Sequence, residues 1–225
     1  MKKIMFNDKY GLTQAVLDGR KTMTRRMIRH RDSYEGKEFG FYHYRPGTLE
    51  TPNQYNFVEL LDADEFHYDT ERYARSEFKV CEVVGIAMSY KELINRYAES
   101  RRLMMAGAFK IKDEFIGAGF KNKMFVNPIY MPNQIMILGI RVEPLQNISD
   151  EDCLREGISE FRPETITDDG VEVGELQGYT FQGGEIYATP REAFAALIDK
   201  VSGKGTWEDN PLVWVYEFEL IDKAV

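Results

Sequence analysis

The residues that most directly suggest chemistry form a basic segment near the start of the chain, from Arg20 to Arg31. This segment holds six lysines and arginines and no acidic residue in twelve positions. Such a cluster can bind phosphate groups even on an acidic protein, because charges farther away than about one Debye length, about 8 Å in physiological salt, are largely screened. The same arginines could instead pair with carboxylates elsewhere in the chain. The segment therefore predicts an anion-binding site, with internal ion pairs as the alternative.

The charge of the whole chain limits what such a site can bind. The 225 residues include 29 basic and 37 acidic side chains and carry a net charge of −8, so the residues outside the basic segment carry −14. This balance excludes a generally basic nucleic-acid-binding surface. It favours a nucleotide, a modified nucleoside or a short single-stranded RNA as the partner.

Composition predicts a folded, cytoplasmic protein with a single domain over residues 1–225. Hydrophobic residues make up 43% of the chain and aromatic residues 13%, which is enough to form a core. No stretch reaches the roughly 18 consecutive apolar residues of a membrane helix, and the first residues lack the apolar region of a signal peptide. Two cysteines without C-x-x-C spacing and three histidines without a ligand pattern predict no metal site. We expect no other cofactor either.

A short strand and a helix must position the basic segment. Residues 2–6 are typical of a strand, and a capped helix is expected from about Lys9 to Asp18, with Gly19 as its C-terminal stop. Beyond this glycine we expect a connection at 21–24 and an extended segment at 25–28, because the threonines disfavour continued helix. The basic segment thus begins just after a helix end.

The rest of the chain predicts strands, short helices and two long insertions. Residues 32–78 are expected to be an insertion of irregular structure with one strand at 55–61, and residues 159–187 a second insertion in the form of a loop. The other expected elements are a strand at 79–88, a helix from 89 to about 100, an extended segment at 125–132, a strand at 134–144, a short helix ending at Gly157, a helix from Pro190 to Gly203 and a half-buried alternating strand at 211–221. Without regular βαβ alternation, this order predicts an α+β fold with a curved sheet or barrel.

Several blocks of the sequence together resemble the ASCH domain, a β-barrel relative of the PUA RNA-binding fold. Gly19–Arg26 matches the G-x-K-T-x-T-x-R signature of that family, and the blocks at 79–84, 141–158 and 207–218 resemble the larger, phage-like ASCH proteins. The resemblance covers nearly the whole chain outside the two insertions. It implies a PUA-like β-barrel decorated with short helices. Cys81 departs from the pattern, since a glycine is usual at that place in the K-x-G-[DE] turn.

The resemblance also implies a reaction. Some small ASCH proteins are amidohydrolases that remove the acetyl group from acetylcytidine with a lysine, a threonine and a glutamate, which by motif position are Lys21, Thr24 and Glu156. A threonine hydroxyl needs a base to take its proton, and a lysine is such a base only where burial or nearby cations lower its pKa. A nearby glutamate could orient the lysine or transfer protons, although its charge raises the lysine pKa. The cations available, as ligand-binding groups or for an oxyanion, are Arg20, Arg25 and Arg26.

Two functions remain open at this point. The first is a hydrolase acting on a modified nucleoside, and the second is a non-catalytic RNA- or nucleotide-binding module whose arginines contact phosphate. Each catalytic candidate also has a structural interpretation: Thr24 as a strand residue, Lys21 as an exposed charge, and Glu156 as a surface residue at a helix end, where its charge opposes the helix dipole. An alternating aromatic row could stack on bases or belong to the core: Trp214, Tyr216 and Phe218.

Overall fold

The computed structural model describes residues 1–28, 39–45, 55–62, 73–96, 117–167 and 170–221. The strands are β1 (Lys2–Ile4), β2 (Met23–Met27), β3 (Phe39–Arg45), β4 (Tyr55–Asp62), β5 (Tyr73–Lys79), β6 (Val83–Ile86), β7 (Gln134–Pro144), β8 (Ser159–Phe161), β9 (Glu164–Thr167), β10 (Gly170–Val173), β11 (Gly178–Thr180) and β12 (Leu212–Ile221). The α-helices are α1 (Leu12–Leu17), α2 (Tyr90–Arg96), α3 (Asp150–Arg155), α4 (Pro190–Ser202) and α5 (Thr206–Asp209). This mixture of strands and short helices confirms the predicted α+β class.

Five strands form the main sheet, in the order β1-β6-β7-β12-β2. Strands β1 and β6 are parallel, and the other neighbours are antiparallel. Strands β1 and β2 are the two edges, and among the described residues no pairing between them closes the sheet. The sheet in this part of the chain is therefore open. None of the helices described is long and apolar enough to cross a membrane.

Strand β12 lies in the interior of this sheet, between β7 and β2. Its aromatic row is buried, as the structural interpretation of that row expected. The opposite face is also buried, since Val213 is 1% and Val215 0% exposed. The prediction of a half-buried strand was wrong here, because both faces of the strand's first half are covered. Helix α4 lies over the core with Phe194, Leu197 and Ile198 on its buried side.

The segment before Lys21 contains a 3₁₀ turn and a short helix where the sequence predicts one helix. A 3₁₀ turn at Asp8–Tyr10 is followed by Gly11 in the left-handed region, at φ 68°, and α1 begins only after it. Gly19, at φ 73°, follows the end of α1 as expected. Strand β2 begins two residues earlier than predicted because its residues from Met23 onward pair with β12.

Three other segments differ from their predictions. The insertion at 32–78 contains a three-stranded antiparallel sheet, β3-β4-β5, rather than a single strand, and its other residues lie outside the described ranges. The insertion at 159–187 contains two antiparallel pairs, β8 with β11 and β9 with β10. The segment at 125–132 holds 3₁₀ turns, because Asn122 and Asn127 accept hydrogen bonds from backbone N–H groups two residues ahead. The predicted end of the helix near residue 100 lies outside the described residues.

The strand expected at 79–88 is divided by a tight turn. Strand β5 ends at Lys79, and Glu82 N–H donates a 3.1 Å hydrogen bond to the carbonyl of Lys79. Cys81 lies in this turn with φ 61°, in the left-handed region that residues with a Cβ rarely adopt. The turn therefore has the conformation for which a glycine is suited, with an exposed cysteine in its place.

Replacing this cysteine tests the strain. We expect Cys81→Gly to raise the free energy of unfolding by about 0.5 to 1 kcal/mol, because the steric cost of the Cβ outweighs the added entropy of the unfolded chain. Cys81→Ala is the control, since it removes the sulfur but keeps the Cβ. Equal urea unfolding midpoints for the two variants would contradict the strain argument.

Candidate functional site

A cavity of about 570 Å³ lies between the β2–β12 face of the sheet, the segment at 5–7 and helix α4. Its volume falls in the usual range for small-molecule sites, about 300 to 1,000 Å³. One wall is apolar and comes from α4, mainly Phe194, Leu197, Ile198 and Val201. The opposite side carries the polar groups Lys21, Thr24, Arg26 and Glu156, beside Trp214 and Tyr216. The cavity thus has one apolar wall and one polar wall.

Lys21 is placed by its backbone before β2 begins. Its N–H donates to the carbonyl of Ala15 in α1 at 2.9 Å, and the next residue, Thr22, donates to the carbonyl of Arg155 at 2.9 Å. The lysine stem then passes Gly157, which has φ 107° and where an added Cβ would lie 3.6 Å from the lysine Cδ and 3.2 Å from Leu12. A side chain there would be strained and would crowd Leu12, while it would only touch the lysine, so the position suits a glycine.

Lys21 and Glu156 form a buried ion pair. The lysine Nζ donates to Glu156 Oε2 at 2.6 Å and to the carbonyl oxygen of the same residue at 2.7 Å. The two side chains are only 1% and 5% exposed. Glu156 follows the last residue of α3, where the helix dipole is unfavourable for a carboxylate. It is therefore not a solvent-exposed helix-end residue, and Lys21 is not an exposed charge.

Two opposing effects act on the pKa of Lys21. Burial lowers it below the ordinary value of 10.5, while the charge of Glu156 and the hydrogen bond to it raise it. Arg26 and Arg25 lower it further, and the net direction is downward. A neutral lysine would have two N–H groups for the two oxygens of Glu156 and one lone pair left over. That lone pair is what proton abstraction requires.

Thr24 is the third residue of the predicted set, and it lines the same cavity as the ion pair. It is 5% exposed and lies opposite Tyr216 in the β2–β12 register. Most buried hydroxyls are hydrogen-bonded, but that of Thr24 bonds to no residue in the described ranges. The sequence-predicted trio is thus brought to one cavity, with the threonine hydroxyl available for a ligand.

Arg25 belongs to a network of ion pairs. Its NH1 contacts Glu156 at 3.2 Å, and its NH2 contacts Glu143 at 2.6 Å and Asp152 at 3.0 Å. The Arg25 side chain is only 1% exposed. Burial alone would lower the pKa of Arg25, but the three carboxylates outweigh burial and raise it. Arg25 also lines the cavity, so its role as a ligand-binding residue stays a prediction.

The other two predicted ligand-binding arginines lie in different places. Arg20 is exposed, contacts Asp18 at 3.2 Å and donates to the hydroxyl of Ser159 at 3.0 Å. It is not part of the cavity wall, so the prediction for Arg20 is not supported by its position. Arg26 does line the cavity, with its guanidinium carbon 5.9 Å from the ring centre of Phe6. The alternative of internal ion pairs therefore holds for Arg20, Lys21 and Arg25.

Two parts of the site were not predicted from the sequence: the other ion pairs around Arg25 and the apolar wall of the cavity. Arg141 on β7 contacts Glu143, Asp152 and Glu217, and Arg155 contacts Asp152 and Glu217. A usable signal was the pair of opposite charges two residues apart within the otherwise apolar strand β7, which places both on one face. The apolar residues of α4 recur at helical spacing, and nothing in this periodicity distinguishes a cavity wall from a packed core.

Other sources of chemistry fit the described residues poorly. No group of three or more histidine, cysteine or acidic side chains in these ranges is arranged to hold a metal ion. Cys153 in α3 is buried, and burial raises the pKa of its thiol to about 12. A thiol nucleophile must be ionised, so this cysteine is inert near neutral pH.

Comparison of the chain with known protein families, curated proteins and solved structures finds no match in any of the three. Interpretation of the cavity therefore depends on its own geometry.

The buried pair can be tested by its effect on stability. We expect Lys21→Met to lower the free energy of unfolding by about 3 to 5 kcal/mol, because it leaves the Glu156 carboxylate buried with one partner fewer. Adding Glu156→Gln should recover part of that loss. Lys2→Met, which breaks the more exposed pair with Glu82, is the control and should cost about 1 kcal/mol or less. Urea unfolding at pH 7 measures the wild type, both single variants, the double variant and the control. If the losses in free energy of unfolding from Lys21→Met and Glu156→Gln simply add in the double variant, the two side chains do not stabilise each other and the prediction is wrong.

Proposed function

We propose that this protein is an ASCH-type hydrolase with a PUA-like β-barrel, which cleaves an amide on a modified nucleoside such as acetylated cytidine. The observation that carries the proposal is the cavity that a buried Lys21–Glu156 pair shares with Thr24, whose hydroxyl has no hydrogen-bond partner among the described residues. The left-handed Cys81 supports the family assignment, because the resemblance expects a glycine at that turn. The open sheet of the described residues would complete a barrel only with further pairing.

In this proposal Thr24 is the nucleophile and Lys21 the base. Neutral Lys21 takes the proton of the Thr24 hydroxyl while Oγ1 attacks the amide carbonyl carbon. The tetrahedral intermediate then breaks its C–N bond, and the proton passes from Lys21 to the leaving amine. The products of this first half of the reaction are free cytidine and an acyl ester on Thr24. Water, deprotonated by Lys21, hydrolyses the ester to release acetate and restore the threonine.

The remaining groups of the cavity fit supporting roles. Glu156 holds the amine of Lys21 by two hydrogen bonds, so the base has a fixed direction. Arg26 supplies positive charge to the cavity wall, where it can stabilise the oxyanion of the tetrahedral intermediate. Trp214, which pairs with Arg26 in the sheet register, offers an aromatic surface for a base.

Thr24 is the residue on which this proposal is tested. We expect purified protein to release cytidine and acetate from acetylcytidine, and Thr24→Ala to lower kcat by at least about a thousandfold because no nucleophile remains. Thr24→Ser should keep measurable activity. Thr22→Ala is the matched control, since Thr22 lies in the same segment but accepts a hydrogen bond from Arg155. Liquid chromatography of the products measures the rate, and undiminished release by Thr24→Ala would rule out the mechanism.

A non-catalytic binding module is the second candidate, and it is favoured by Arg26 and Trp214 lying together in the cavity wall. It predicts that cytidine monophosphate binds without turnover and that affinity falls as salt rises, because a phosphate contact releases counterions. Arg26→Met should weaken this binding about tenfold or more, whereas Thr24→Ala should leave it unchanged. Isothermal titration calorimetry at two salt concentrations separates the candidates. Turnover that is lost in Thr24→Ala would exclude the binding module.

A further inference from the structure

Arg25 lies on the far side of Glu156 from Lys21, and it reaches three separate elements. It contacts Glu156 after α3, Asp152 within α3 and Glu143 on β7. Its Nε is buried without a hydrogen-bond partner in the described ranges, so the two terminal nitrogens alone fix the guanidinium. One side chain of the site strand β2 thereby ties the glutamate to the helix and to the sheet.

Each of the two cations contacts a different carboxylate oxygen of Glu156. Glu156 Oε2 accepts from Lys21 at 2.6 Å, while Oε1 accepts from Arg25 at 3.2 Å. With one oxygen held by Arg25, the carboxylate cannot rotate without breaking a charge-assisted hydrogen bond. The orientation of Glu156, and with it the direction of the lysine amine, therefore depends on Arg25.

The position of Arg25 in the strand is independent support for an indirect role. In β2 the side chains alternate between faces, so Arg25 lies on the face opposite Thr24 and Arg26. Its register partner in β12 is Val215, and Val215 pairs on its other side with Arg141. The face of Arg25 is thus the face of the ion network, and the residue reaches the cavity wall only beside Glu156.

We propose that Arg25 is a positioning residue, which holds the Glu156 carboxylate against Lys21 by bridging it to Glu143 and Asp152. This inference rests on the proposed hydrolase function, in which Lys21 is the base. A lysine at this position would keep the charge but not the fork of two nitrogens that spans three carboxylates. Arg25 would then affect turnover without touching the substrate.

Charge gives Arg25 a second effect on the same pair. Its cation lowers the pKa of Lys21, as does that of Arg26. Glu156 acts in the opposite direction, and Glu77 of β5 is the other acidic residue in the cavity wall. Helices α1 and α4 contribute no charged side chain to that wall. Removal of the Arg25 charge should therefore raise the pKa of Lys21.

Two substitutions of Arg25 distinguish the effect of its geometry from the effect of its charge. We expect Arg25→Lys to lower kcat for acetylcytidine about tenfold or more with KM within about twofold, because alignment is lost while binding contacts stay. Arg25→Gln should in addition move the titration midpoint of Lys21 up by about one pH unit, whereas Arg25→Lys should leave it unchanged. Arg162→Gln is the control, because its pair with Glu160 is 44% exposed on both sides.

One readout keeps this test independent of turnover. The Lys21 ¹³Cε shift, followed by NMR against pH without substrate, reports the midpoint even if acetylcytidine is not hydrolysed, in which case the hydrolase proposal alone fails. An unchanged kcat in Arg25→Lys, or a midpoint unchanged in Arg25→Gln, would overturn the inference. A raised KM with unchanged kcat would make Arg25 a ligand contact instead. Should Arg25→Gln fail to fold, the kcat and KM of Arg25→Lys decide the matter.

Discussion

The contact between Lys21 and Glu156 is the interaction on which the rest of the site depends. A buried lysine and a buried glutamate are each costly to remove from water, and each is tolerated because the other lies within hydrogen-bond distance. Their contact also fixes local geometry, since the amine is held by both the carboxylate and the carbonyl of one residue. The end of α3 and the start of β2 are thereby joined at the edge of the cavity.

Charge balance extends outward from this pair. Four cations and four carboxylates form a continuous set of contacts: Lys21, Arg25, Arg141 and Arg155 with Glu143, Asp152, Glu156 and Glu217. Such a network adds little stability compared with packed apolar residues, because desolvation offsets most of the attraction. Its value here is geometric. It holds the Lys21–Glu156 pair, which lines a cavity whose other wall is the apolar face of α4.

Much of the fold follows from local sequence patterns, and much of the site does not. Strand β7, the caps of α3 and α4 and the glycine after α1 were predictable, because periodicity and capping residues act over a few positions. The three-stranded sheet in the first insertion was missed, since its strands lack a clear alternation. The trio of Lys21, Thr24 and Glu156 came from the family resemblance, and the structure brings it to one cavity. The roles of Arg20 and Arg25 could not be predicted, because their partners depend on tertiary contacts.

The site strand also determines when the cavity can exist. Strand β2 pairs in this sheet only with β12, which begins at Leu212, and Lys21 meets a glutamate 135 positions later. A chain emerging from the ribosome at about 5 to 20 residues per second exposes β2 for roughly ten seconds or more before its partner appears. During that interval β2 lacks its strand partner, and for most of it Lys21 and Arg25 also lack their carboxylates. Lys21 and Thr24 are thus synthesised well before the residues that complete their cavity.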